Sequence, residues 1–121
     1  MAKTVWKYHH IGIPTDVHFP NEHYLKDYKI YHYGFEESEF GIEWMRYEKE
    51  CTLPEIVKTK PHLAFEVENL ENALIGRKII IEPNSPSEGN IVAFIEEDGL
   101  PIELIQINKN AENKLQGEHN G

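Results

Sequence analysis

Two segments of this chain open on a histidine and echo each other residue by residue. His10-Ile11-Gly12-Ile13 and His62-Leu63-Ala64-Phe65 each run through a His, a branched aliphatic, a very small residue and a large apolar one. A second echo aligns Ile42-Glu43-Trp44-Met45-Arg46-Tyr47 with Ile102-Glu103-Leu104-Ile105-Gln106-Ile107, so an Ile-Glu pair begins both runs. Each half therefore leads from a His to a Glu, with separations of 33 residues in the first and 41 in the second. Two imidazole nitrogens and two carboxylate oxygens form a donor set of intermediate hardness, suited to divalent Zn, Ni, Co, Mn or Fe and a poor match for calcium. With one or two positions left open, such an ion acts as a Lewis acid or lowers the pKa of a bound water. Taken singly, a His or Glu is more often a structural or surface residue; coincidence at four repeat-equivalent positions singles out His10, Glu43, His62 and Glu103. His18, His23, His32 and His119 have no echo and are expected to be exposed.

The elements that would carry these residues are strands. In a strand successive side chains alternate faces, so Glu103 shares a face with Ile105 and Ile107, and Glu43 with Met45 and Tyr47. A carboxylate in such an apolar row is costly unless a cation, a metal or a proton neutralises it. His10 and His62 each have a tiny residue, Gly12 or Ala64, two positions along on their own face, which suggests open volume beside each imidazole.

The second half reads as β-α-β-β-β. Asn69 is a plausible helix N-cap, Leu70, Ala73 and Leu74 recur at helical spacing, and Gly76 can end the helix. Strands follow around 78–81, 90–96 and 101–107, with PNSPSEG as the first connecting loop, read as a flexible lip, and EEDGLP as a tight hairpin. In the first half Pro14 and Pro20 interrupt the corresponding region, so a shortened helix is expected near 21–27. KIYHYGF then reads as a strand with Ile30 and His32 on one face and Tyr31 and Tyr33 on the other. TLPEIVKTKP reads as a connector between modules spanning about 4–50 and 60–107, and the polar tail 108–121 is expected to be flexible.

Composition narrows the function classes. A chain of 121 residues is the size of one domain. A net charge of −9 disfavours sequence-independent nucleic-acid binding, and no stretch approaches the apolar length of a membrane helix. The single Cys51 and the lack of a signal-like N-terminus suggest a cytoplasmic setting. Cys51 has no sequence-adjacent base to make it a nucleophile, and the 83–89 loop lacks the glycine spacing of a phosphate-binding loop.

The segments HHIGIP, HLAFEV and FEVENLENAL, together with the ending VAFIEEDGLPIELIQ, resemble the vicinal oxygen chelate superfamily, which includes glyoxalases, methylmalonyl-CoA epimerases, extradiol dioxygenases and bleomycin-resistance proteins. The resemblance covers nearly the whole chain up to Ile107. It implies an α+β fold of two tandem βαβββ modules curled into a cup of mixed sheet, within a single domain over 1–107. It places metal ligands on the first and last strands of each module, at His10, Glu43, His62 and Glu103, and gives a ligand carboxylate, Glu103 or Glu43, the role of proton-transferring base. Of these two, Glu103 is slightly preferred, because the apolar row beside it implies a base strengthened by desolvation.

The chain also departs from the better-known relatives. Arg46 and Arg77 are its only arginines, which leaves no cluster for glutathione, and the short first module offers little material for a coenzyme A groove. An oxygen-activating iron site with two His and one Glu would leave Glu43 as an extra ligand. The expectation is thus a divalent-metal lyase or isomerase acting on a small, polar, oxygenated carbonyl compound, with no membrane or nucleic-acid partner. The alternatives are a metal-free small-molecule binding protein of the resistance type and a dimeric interaction module. Open sheet edges favour a homodimer.

Overall fold

The computed structural model describes residues 3–86 and 88–107. Eight strands form one curled mixed sheet: β1 (Lys7–Pro14), β2 (His23–Leu25), β3 (Ile30–Tyr33), β4 (Ile42–Tyr47), β5 (His62–Glu66), β6 (Lys78–Asn84), β7 (Asn90–Glu97) and β8 (Leu100–Ile107). Their spatial order, β2-β3-β4-β1-β5-β8-β7-β6, reads the same from either edge once the halves are exchanged. β1 and β5 pair antiparallel at the centre, and each is flanked by the last strand of its own half in parallel, β4 beside β1 and β8 beside β5. This is the cup of tandem modules that the family resemblance implied.

The second half follows the sequence reading closely. Asn69 accepts a hydrogen bond at 2.9 Å from the Asn72 N–H and caps a single helical turn, α2 (Leu70–Ala73). Gly76 leaves that turn at φ +73, where a side chain would be strained. Leu70, Ala73 and Leu74 pack on Ala93, Ile95 and Leu104, which form the outer face of β7 and β8. Asp98 and Gly99, both at positive φ, make the two-residue hairpin between Glu97 and Leu100.

The first half departs from the expectation at its helix. Where a short helix was anticipated over 21–27, the chain instead forms β2, an edge strand paired with β3, flanked by turns. The physical reason lies in Pro14 and Pro20 upstream and in the aromatics that cover the sheet in place of a helix. Phe19 stacks on Tyr33 with ring centroids 4.6 Å apart and lies against Trp44, while Arg46 bonds Glu22 and sits over the Tyr31 ring. The connector forms a short helix of its own, α1 (Glu55–Thr59), whose Val57 is buried. The tail beyond Ile107 lies outside the described residues. No helix among the described residues is long and apolar enough to cross a membrane.

Candidate metal centre and cavity

The alternation of β4 and β8 sends Glu43 and Glu103 inward, into the concave side of the sheet. Register brings the rest together: Gly12 stands opposite Glu43 on one side and His62 on the other, and Ala64 stands between His10 and Glu103. Two small residues thus separate four chelating ones across the central strands.

The side chains converge. His10 Nε2 lies 3.2 Å from Glu103 Oε1, His62 Nε2 lies 3.2 Å from the same oxygen, and the two imidazole nitrogens are 3.3 Å apart. Ligands at about 2.1 Å from one ion, subtending roughly 100°, stand about 3.2 Å from each other, so this near-equilateral triangle fits a divalent transition ion. Two His and one carboxylate on one side of an ion is also the set that leaves positions open for substrate. His10 and His62 are buried and belong to different halves of the chain.

The volume inferred beside the imidazoles is only partly there. The space above Gly12 is filled by the His62 ring: a Cβ added at Gly12 would stand 2.1 Å from His62 Cε1. Gly12 is therefore small to admit a ligand, not to leave room for substrate.

Glu43 comes near without joining the triangle. Its Oε1 is 3.8 Å from His10 Nε2, while its Oε2 is 3.0 Å from His32 Nδ1. His32 is thus not the exposed residue expected; it is half-buried and faces the site, whereas His18 and His23 are exposed. The signal that could have found it was present in KIYHYGF, where His32 shares a face with Ile30, an apolar residue that proves to be buried in the cup. His9, unremarked in the sequence, places Nδ1 2.8 Å from His10 Nδ1 and stacks on Phe35. It thereby supports the ring whose other nitrogen faces the triangle. His62 Nδ1 is buried and has no hydrogen-bond partner among the described residues.

Electrostatics separate the two carboxylates. Burial pushes the Glu103 carboxyl up, but hydrogen bonds from His10 and His62 and their charges outweigh it and hold the group down at about 2. The bonds to the two imidazoles thus oppose the desolvation on which the expected preference for Glu103 as base rested. Burial alone would lower His10, yet its bond to Glu103 and the charges of Glu103 and Glu43 raise it. His9 is lowered, by burial first and then by the His10 charge.

The triangle stands at one end of a cavity of about 150 Å³. Its walls are Leu25, Tyr28, Ile30, Met45, Tyr47, Leu53, Val57, Ile81, Val92 and Phe94, with Asn84 and Pro86 at the rim. Tyr28 Oη donates to Asn84 Oδ1 at 3.0 Å, tying the β2–β3 turn to the end of β6 across the two halves. The lining contrasts with the polar substrate expected from sequence.

The curled mixed sheet of tandem modules has the form of a glyoxalase-like cup, and two His and a Glu meet at its centre. No protein-family model matches the sequence, and no curated protein matches it significantly. Among solved structures, the chain is similar to methylmalonyl-CoA epimerase from Mycobacterium tuberculosis, with a TM-score of 0.57 and 17% identity over 88% of this chain and 92% of that one. At that identity the likeness establishes the fold alone, and the chemistry of the site rests on its own residues.

Proposed function

We propose that this chain is a divalent-metal-dependent isomerase or lyase of the glyoxalase and epimerase type, which takes a proton from carbon beside a carbonyl. The observation that carries the reading is the 3.2 to 3.3 Å triangle of His10, His62 and Glu103, with a further carboxylate alongside, Glu43, whose Oε1 stands 3.8 Å from His10 Nε2. The three residues would hold the ion, and Glu43 would border the coordination shell as a fourth ligand or as the base. An ion bound there supplies electrophilic polarisation of the substrate oxygens, which acidifies the neighbouring C–H.

Glu43 is the better base of the two candidates. Glu103 is committed to both imidazoles, whereas Glu43 has one oxygen on His32 and the other directed toward the centre. His32 fixes the carboxylate plane, so the proton moves to Glu43 Oε1 without reorientation of the side chain. Tyr47, whose hydroxyl pKa is raised by burial and by the Glu103 charge, stays protonated in the wall and adds no competing anion. The rival reading, a metal-free binding protein of the same fold, draws on the apolar cavity. A homodimer that covers the β2 and β6 edges belongs to the proposal as well.

The test combines elemental analysis of untagged protein with solvent-deuterium exchange at the α-carbon of small α-hydroxyketones. One equivalent of a transition ion, with exchange lost in Glu43→Gln while the ion is retained, is the expected result. Tight ligand binding with no exchange under any divalent ion would replace the enzyme by the sequestering protein.

A further inference from the structure

On the proposed function, a substrate would present two ends to this cavity. The metal-binding reading concerns the reacting end; the walls of the cavity speak to the rest of the molecule. Leu25, Ile30, Met45, Leu53, Val92 and Phe94 surround that space, and among the described residues lining it there is no Lys or Arg. The two arginines are engaged elsewhere, Arg46 with Glu22 and Tyr31, and Arg77 with Glu97 and Trp6. The charged side chains that do reach the cavity, apart from the histidines, are Glu43 and Glu103.

An anionic group among these apolar walls would find no Lys or Arg to pair with, and an ion held by His10, His62 and Glu103 would be engaged by the oxygen-bearing end of the substrate. A phosphate or a second carboxylate on the part of the molecule that lies against these walls is disfavoured on that ground. The space is small, about 150 Å³ including its chelating end, and it opens to solvent. We infer that the substrate carries, beyond its oxygen-bearing end, an uncharged apolar body such as a small ring. This inference rests on the proposed metal site for the orientation of the molecule, and on the cavity walls alone for the character of the body.

Three probes share one α-hydroxyketone head and differ in body: hydroxyacetone carries a methyl, 2-hydroxyacetophenone a phenyl, and dihydroxyacetone phosphate an anion. Calorimetry on the ion-loaded protein should find the phenyl compound bound at least tenfold more tightly than the methyl one, and the phosphate no more tightly than the methyl one. Leu53→Lys, at a half-exposed wall position, should abolish the phenyl preference. In parallel, ¹H–¹⁵N NMR of the metal-free protein should show toluene shifting resonances of the wall residues. Toluene binding without any ion uptake would uphold the apolar body and discard the metal reading. Stoichiometric ion uptake with no preference for the phenyl body, or with the phosphate bound most tightly, would overturn the inference and leave the metal reading standing.

Discussion

Gly12→Ala removes no ligand and should nevertheless destroy the metal site. The added Cβ would stand 2.1 Å from His62 Cε1 and 2.6 Å from its Nε2, whereas ordinary contact begins near 3.4 Å, so the ring must retreat by about 1.3 Å. Metal–ligand distances tolerate only about 0.2 Å, so a displacement of that size breaks the His62 bond outright. The backbone can accept the change, because Gly12 is absent from the positive-φ glycines, and overpacking should cost about 1–3 kcal/mol of stability. Ion affinity, read by competition with a chromophoric chelator, should fall at least about 100-fold, at or beyond the upper end of what loss of a supporting residue costs. Thermal unfolding of the metal-free variant checks that it is folded. A folded Gly12→Ala protein that binds the ion within threefold of the parent would refute the assignment of His62 as a ligand.

The combined His10→Ala and His62→Ala variant should lose stoichiometric metal by elemental analysis, while exposed His18→Ala should keep it. His32→Ala frees Glu43 Oε2 and should lower the rate of α-hydrogen exchange about 10- to 100-fold with metal content unchanged, and His32→Asn should recover part of it. Ion at 1,000 times its dissociation constant should stabilise the fold by about 4 kcal/mol, an increment seen as a rise in Tm that EDTA reverses and His10→Ala lacks. Metal-free protein should respond to pH through His10. Its pKa is raised in the native state, so the stability it contributes is full below the unfolded value of 6.5 and is lost as pH rises through the native value. Melting of the EDTA-treated protein should thus fall from pH 6 toward alkaline pH, and a melting temperature that rises over that range would contradict the His10–Glu103 pairing.

Much of the site was legible because repetition substitutes for an alignment. The echo of HHIGIP in HLAFEV and of IEWMRY in IELIQI placed His10, His62 and Glu103 on strands that the register then brings side by side. What sequence could not supply was the difference between the halves. Two prolines signalled a disturbed helix, but not that Phe19 and Tyr33 would stack in its place or that residues 23–25 would form an edge strand. Glu43 and Glu103 looked nearly alike, with only a slight preference for Glu103, since periodicity records faces and not neighbours. The role of Gly12 was misjudged for the same reason: its partner lies on β5, 50 residues away, and only the register shows what occupies the gap.

On the proposed metal reading, the mirror order of the sheet offers an ion two equivalent carboxylates as its third ligand, and one cross-strand position distinguishes them. His32 stands opposite Met45, two residues beyond Glu43; the matching position in the other half, opposite Ile105 and two residues beyond Glu103, is Val92. The imidazole draws one glutamate aside, while the isopropyl group offers its counterpart nothing to turn toward. A duplicated scaffold has in this way acquired a front and a back. Exchanging the two side chains, His32→Val with Val92→His, should therefore transpose the parts played by Glu43 and Glu103 and leave the rest of the cup as it was.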